Sequence, residues 1–269
     1  MLNIIKMDLY RMLKAKSTYI IILGICLVSL MLLYQSHEAL IDLKKGIPVP
    51  ELSVGIGNDV SALAKNPSIL ALFYSIFGSF TIALGLSVFS ILFITREEST
   101  GFIKNIAGQV SSRSHLVISK LVCQSAFILL SFLTSMLTAF FAGKIFFDSL
   151  EFGSPSIFWK PICLQFLLHI AFATILLMLV FLIKQLIISL LISITLCFGV
   201  FSYLYALISK GINHLFKING FDISNYTITG NIGGAASNMD YMRIISVSIV
   251  YIIIMLLVSI LIRQKQDIK

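Results

Sequence analysis

Residues 95–120, TREESTGFIKNIAGQVSSRSHLVISK, form a long polar segment between two apolar stretches, 69–94 and 121–142. Outside this segment apolar residues dominate the chain: 58% of its 269 residues are hydrophobic, 12% are charged, and the mean hydropathy is +0.99. Soluble globular domains carry about 25% charged residues. We therefore expect an all-α integral membrane protein, because lipid cannot satisfy the backbone polar groups of non-helical segments.

Six apolar stretches are long enough to cross about 30 Å of hydrocarbon at a rise of about 1.5 Å per residue. The sequence thus predicts a transmembrane domain of six helices over residues 18–262. The first stretch lacks a small-x-small cleavage site, so we expect it to stay attached as a span. The predicted spans are 18–34, 69–94, 121–142, 157–183, 186–209 and 244–262.

The basic residues distinguish the two faces of the predicted domain. The lead (1–17), the polar segment (95–120), Lys184 and the tail (263–269) carry twelve of the 20 Lys and Arg residues but four of the 12 acids. The positive-inside rule places this face, with both termini, in the cytoplasm. We interpret the net charge of +8 as an attraction to lipid headgroups rather than to nucleic acid, since no DNA-binding motif accompanies it.

Two segments outside the spans have amphipathic patterns. The lead is predicted to be a helix lying in the cytoplasmic interface, and the first part of the outer segment 210–242 is predicted to be a half-buried helix or a re-entrant hairpin. The apolar stripe of the lead comprises Leu2, Ile5, Leu9, Met12 and Leu13.

Small residues recur every fourth position in the second and fifth spans. Such a ridge lets another helix backbone approach closely. Ordinary packing within one bundle, a subunit interface and a polar-dotted translocation wall are all consistent with it. The residues are Ser75, Ser79, Ala83 and Ser87 in the second span and Ser189 and Ser193 in the fifth.

The spans offer little for catalysis or metal binding. His169 is the one ionisable residue well inside a span, and no acid or second histidine stands at helical spacing from it, which favours a hydrogen-bonded structural role. Glu97-Glu98 lacks the arginine of a CAAX-type intramembrane protease, because Phe102 stands at that position. Around Lys144 the chain also lacks the flanking residues of a phosphate loop, so we expect no ATP site, catalytic residue or metal site in it.

The polar segment has a helical pattern of its own. A helix beginning near Glu97 has one apolar face, which predicts a short amphipathic helix lying flat under the membrane. A solvated loop with one membrane-hugging turn is the alternative. The residues of that apolar face are Phe102, Ile103, Ile106, Ala107 and Val110.

The order of the short motifs resembles ABC-2 type transporter permeases. Residues 97–106, EESTGFIKNI, followed by Ser112-Arg113 and Lys120, resemble the Glu-x-x-x-Gly-Thr-Ile-Lys and Ser-Arg-x(6)-Lys signature between the second and third spans of that family. The lead, KMDLYR followed by Lys14-x-Lys16-Ser17, resembles the basic amphipathic opening of the same permeases.

This resemblance implies an ABCG-like half-transporter. Two permeases, identical or different, would pair in the membrane, and each would dock a cytoplasmic ABC ATPase that holds ATP and Mg²⁺, with no cofactor in this chain. Residues 95–120 would be the coupling loop, and the turn at Lys184 would be a minor second contact. The coupling residues implied are Glu97, Glu98, Gly101, Phe102, Ile103, Lys104, Asn105, Arg113 and Lys184.

The resemblance and the scarcity of charge also bear on substrate and location. Span walls rich in Phe, Ile, Ser and Thr suit a hydrophobic or amphipathic substrate. We expect a permease of the bacterial cell membrane that exports an antimicrobial peptide or gives immunity to one, as lantibiotic permeases do. The alternative is a polytopic membrane protein without ATPase coupling, either an intramembrane enzyme or an accessory subunit.

Overall fold

The computed structural model describes residues 1–45, 68–99, 113–147, 151–198, 200–217, 220–233 and 240–265. This part of the chain is all-helical, with ten α-helices and a 3₁₀ turn at Ile223–Tyr226. The α-helices are α1 (Leu2–Lys14), α2 (Lys16–Lys44), α3 (Ile69–Gly78), α4 (Thr81–Ser99), α5 (Ser114–Phe146), α6 (Pro155–Ile183), α7 (Leu186–Cys197), α8 (Val200–Phe216), α9 (Ile228–Ile232) and α10 (Tyr241–Lys265).

Four of these helices, α2, α5, α6 and α10, are each long and apolar enough to cross a membrane. Two bent pairs raise the number to six if each pair is one span: α3 with α4, bent by 53°, and α7 with α8, bent by 62°. The prediction of an all-helical, multi-pass membrane protein is confirmed at this level. The predicted spans 69–94 and 186–209 are both broken helices rather than continuous ones.

The break between α3 and α4 is built around Phe80. Its φ of 56° is unusual for a bulky residue, and the backbone leaves the helical path there. The Ser79 hydroxyl stabilises the bend, because it donates to the Ile76 carbonyl oxygen at 2.6 Å and lies 2.7 Å from the Thr81 hydroxyl. The Phe80 ring lies against Gly233, where an added Cβ would approach it to 3.1 Å. The bend is thus held by tertiary contacts.

Contacts at the helix termini show that the spans alternate in direction. The end of α4 meets the end of α10 through Glu98 and Arg263, whereas the opposite end joins the start of α3 to the residues before α6 through the Ile69 amide and the Glu151 carbonyl oxygen at 3.1 Å. The first end carries α1, the end of α4 and the start of α5. We call it the charged end.

The interior and the outer surface of the bundle are both apolar. Phe rings fill the interior, with Phe89 and Phe127 stacked 4.1 Å apart between α4 and α5. Large apolar side chains also face outward along α2 and α10, for example Leu23, Met31 and Leu257. An apolar exterior of this extent is expected of a protein in lipid.

The outer segment returns to the bundle. The helix α8 extends to Phe216, beyond the predicted span end, and the short α9 then buries Ile228 and Ile232. The side-chain amide of Gln165 on α6 donates to the Ile232 carbonyl oxygen at 3.1 Å. Between them Asp222 caps the 3₁₀ turn, and the hydrogen bonds from Ser224 lower the pKa of its carboxyl below the usual value.

Candidate functional site at the charged end

Four charged side chains from three helices meet inside the charged end. Lys120 on α5 places its Nζ 2.8 Å from Oδ2 of Asp8 on α1 and 2.5 Å from Oε2 of Glu97 on α4. Arg11, one turn after Asp8, places Nη1 2.8 Å from Oε1 of Glu97. Asp8 is 0% exposed, Glu97 1% and Lys120 4%. We call Asp8, Arg11, Glu97 and Lys120 the ion cluster.

The local sequence explains how α1 delivers its two charges. Ile5, Asp8, Leu9 and Met12 are spaced for a single helical face, so the carboxylate lies within the stripe that α1 turns toward the bundle. The helix ends at Ala15, whose backbone is extended. The start of α2 then ties back to it.

Two side chains of α2 make that connection. The Thr18 hydroxyl donates to the Met12 carbonyl oxygen at 2.8 Å, and the Tyr19 hydroxyl donates to the Leu13 carbonyl oxygen at 2.7 Å. These bonds satisfy carbonyls that the end of a helix leaves without an intrahelical partner. They fix the angle between α1 and α2, and with it the position of Asp8.

The ion cluster is neutral, and most of its polar atoms are paired; Oδ1 of Asp8 has no hydrogen-bond partner among the described residues and lies 3.8 Å from Nη1 of Arg11. Two carboxylates face two cations, and the Ser119 hydroxyl donates to Oδ2 of Asp8 at 2.5 Å. The Phe93 ring lies beside both cations, with its centroid 5.1 Å from Lys120 Nζ and 6.0 Å from the Arg11 guanidinium. Burying a charge is costly unless it is paired and hydrogen-bonded. Here every charge is paired, and the hydrogen bonds of Asp8 reach Oδ2.

A second group of contacts attaches the last helix to the same end. Arg263 on α10 places Nη1 2.9 Å from Oε1 of Glu98 and lies over the Phe181 ring at 5.2 Å. Arg113, just before α5, donates to the Gln264 carbonyl oxygen at 3.2 Å. The helices on both sides of residues 100–112 are therefore joined to each other, to α1 and to α10.

The predicted coupling residues divide into two groups. Glu97 and Glu98 lie in the last turn of α4 rather than at the start of a separate helix, because α4 continues to Ser99. Lys184 lies exposed in the tight turn between α6 and α7, with φ of 57°. Arg113 is half-buried at the start of α5. The remaining ones, Gly101, Phe102, Ile103, Lys104 and Asn105, lie outside the described residues.

The small-residue ridges of the second and fifth spans lie mostly inside the bundle. Ser87 on α4 reaches Cys197 on α7, with their Oγ and Sγ atoms 3.6 Å apart. Gly85, on α4, lets α2 approach so closely that an added Cβ would lie 2.4 Å from the Ile25 side chain. These contacts are packing within one bundle, the first of the three interpretations of the ridges given by the sequence. Ser79, Ala83, Ser87, Ser189 and Ser193 are buried, and Ser75 is half-buried.

His169 is buried and hydrogen-bonded, as its sequence context predicted. Its Nδ1 lies 2.7 Å from the Gln165 carbonyl oxygen, one turn back on α6, and its ring packs edge-on against Phe77 and Phe132. Within the described ranges, no group of three His, Cys, Asp or Glu residues is placed to hold a metal ion.

Sequence reasoning missed the part that α1 and α10 play in the site. Asp8 carried a usable signal, because an acid in the middle of an apolar helical stripe must either face water or find a cation. Arg263 carried a weaker one, since a basic residue just past a span reads as a topology signal. Their partners lie 112 and 165 residues away in the chain, beyond the reach of local patterns.

Comparison with known proteins identifies no family. No family model matches this chain, and no curated protein matches it.

Proposed function

We propose that this chain is the membrane-spanning permease subunit of an ATP-driven ABC-2 type exporter, and that residues 100–112 dock on a separate ABC ATPase. The ion cluster is the observation that carries this proposal. It joins α4, which leads into the segment, to α5, which leads out of it, and both to α1. Ion contacts of 2.5–2.8 Å make these helix ends one mechanical unit, so a partner that moves the segment would move three helices together.

The order of motifs supports the same role. The segment that resembles the coupling signature of ABC-2 permeases is the one whose two ends are tied together. In this proposal ATP and Mg²⁺ bind the partner ATPase, the charged end faces the cytoplasm, and a second permease, identical or different, completes the transporter in the bacterial cell membrane. Closure of the ATPase dimer would push on both coupling segments and rock the two halves apart.

The composition of the bundle supports an apolar or amphipathic cargo. Away from the charged end, the polar groups that the described spans bury are hydroxyl, amide and imidazole groups rather than charged ones. A path between two such bundles would suit a hydrophobic peptide better than an ion or a sugar. Export of an antimicrobial peptide, or immunity to one, is the activity that we propose.

A membrane protein without ATPase coupling is the competing proposal. A neutral, buried set of charges holds a bundle together whether or not a partner is present. The ion cluster is therefore also consistent with this second proposal. In that case residues 100–112 would simply connect α4 to α5.

Site-specific photo-crosslinking distinguishes the two. With a benzoylphenylalanine at position 102, we expect irradiation of native membranes to give an adduct with an ATPase that carries a phosphate-loop sequence. The matched control carries the same probe in place of Trp159. This exposed aromatic residue lies near the start of α6, at the end of the bundle away from the charged end. The control should give no ATPase adduct.

Adducts from both positions, or from neither, would contradict docking through residues 100–112. Equal expression of the two probe-bearing variants is the condition for the comparison, and it can be read from the same gel.

A further inference from the structure

The helix α5 carries a second polar feature, which begins one turn inward from the ion cluster. At 3.6 residues per turn, four of its polar residues lie within about 60° of one another around the helix axis. All four are buried, although this helix is apolar enough to cross a membrane. They are Lys120, Gln124, Ser131 and Ser135. We call the last three the polar stripe.

The polar stripe has donors and acceptors that no protein group meets. Both the nitrogen and the oxygen of the Gln124 amide are buried without a hydrogen-bond partner among the described residues, as are the hydroxyls of Ser131 and Ser135. A serine or threonine inside a helix can donate to the carbonyl oxygen one turn back. Three other hydroxyls on α5 do so at 2.9–3.0 Å, those of Ser125, Thr134 and Thr138. The hydroxyls of the polar stripe make no such bond.

The helices packed against α5 add further groups of the same kind. The helices α2, α4 and α6 all contact α5. Each holds a buried polar atom that has no hydrogen-bond partner in the described part of the chain: the hydroxyls of Ser29 and Ser90, and Nε2 of His169. The His169 ring lies 5.4 Å from the ring of Phe132, which follows Ser131 on α5. Polar groups of four helices thus remain to be satisfied in this core.

Water is the ligand that these groups suit best. An unpaired amide or hydroxyl is costly to bury, and a buried water typically makes about three hydrogen bonds to such groups. Glutamine and serine both donate and accept, as water requires. The ion cluster next to Gln124 is neutral, so the polar stripe offers no net charge to hold an ion.

We propose that the polar stripe binds a group of internal water molecules along α5, beginning beside the ion cluster. Serine is among the smallest polar side chains, so Ser131 and Ser135 occupy less of the core than the phenylalanines around them. The site is distinct from the ATPase-docking segment, and it does not depend on ATPase coupling.

Radiolytic footprinting of the full chain in water labelled with oxygen-18 tests the site. X-ray pulses convert bound water to hydroxyl radicals, which label the side chains beside it with oxygen-18. Phe127 is the reporter, because it lies on α5 between Gln124 and Ser131 and is 0% exposed, out of reach of radicals from bulk solvent. We expect oxygen-18 in Phe127 of the wild-type protein in mild detergent.

Two pairs of substitutions on α5 give a matched comparison. Gln124→Leu with Ser131→Ala removes polar groups of the polar stripe and should abolish most of the label at Phe127. The control, Ser125→Ala with Thr134→Val, removes two hydroxyls that are bonded to their own helix and should leave the label unchanged. Absence of label from the wild-type protein, equal label in the first variant, or loss of label in the control would overturn the proposal.

The stability of Gln124→Leu alone gives an independent answer, and it serves if the double variant folds poorly. A dry, unpaired amide is costly, so its removal would stabilise the protein. An amide bonded to water is already satisfied, and we therefore expect no gain in resistance to unfolding by SDS in mixed micelles. A raised unfolding midpoint would overturn the proposal.

Discussion

Replacing Lys120 by Met is expected to lower the free energy of unfolding by about 3–5 kcal/mol, the usual loss when one partner of a buried ion pair is removed. The change leaves Asp8 and Glu97 buried with Arg11 as their remaining cation in the ion cluster. Methionine keeps the length of the side chain, so the loss comes from charge rather than from a cavity. Unfolding by SDS in mixed micelles measures it.

Lys144→Met on the same helix is the matched control. Lys144 is exposed and lies over the Phe140 ring at 4.4 Å, and we expect its loss to cost less than about 1 kcal/mol. Equal stability of the two variants would show that the ion cluster contributes nothing to the fold.

Reversing the charge at Glu97 is expected to have the second large effect. Glu97→Lys would set a third cation beside Lys120 and Arg11, with Asp8 as the one remaining acid of the ion cluster. Like charges brought together in a buried site cost several kcal/mol, in addition to the lost pairs. We expect very little folded protein, measured as the monodisperse fraction after solubilisation in mild detergent.

The neighbouring Glu98→Lys is the comparison. Its side chain is 20% exposed and pairs with Arg263, so we expect a loss of about 1–3 kcal/mol and recovery of folded protein. Normal folding of Glu97→Lys would contradict the buried position of Glu97. Because folding is expected to fail, tests of ATPase docking belong at residues 101–105 rather than at Glu97.

The sequence predicts the long helices well because their signal is local. A run of twenty or more apolar residues can satisfy its backbone in lipid only as a helix, and α2, α5, α6 and α10 follow directly from that rule. The break at Phe80 does not, because nothing in Ser79-Phe80-Thr81 requires a positive φ. The bend depends on Gly233, which lies 153 residues later in the chain and leaves room for the ring.

The sequence predicts where the charged residues of the charged end lie, but not how they pair. Basic residues at the span ends indicated which face the charges occupy, and the motif order pointed to Glu97. The pairing of Asp8 with Lys120 joins distant parts of the chain, and a single sequence does not identify which cation Asp8 meets. The burial of Asp8, Glu97 and Lys120 together inside the charged end has no local sequence signal either.

The burial of Glu97 changes what the coupling signature means for this chain. A glutamate that is 1% exposed and bonded to Lys120 and Arg11 holds the base of the segment rather than its contact surface. In the proposed transporter, the residues that touch the ATPase would then be those between α4 and α5. Glu97 would be a positioning residue that transmits their movement to α1.

Affinity purification from native membranes tests the proposed function most directly. We expect the tagged chain, extracted in mild detergent, to bring down an ATPase with a phosphate-loop sequence, identified by mass spectrometry. Phe102→Asp with Ile103→Asp should abolish this recovery while the protein still elutes as a folded species. Absence of any such ATPase from the wild-type preparation, even after gentle crosslinking, would contradict the permease assignment.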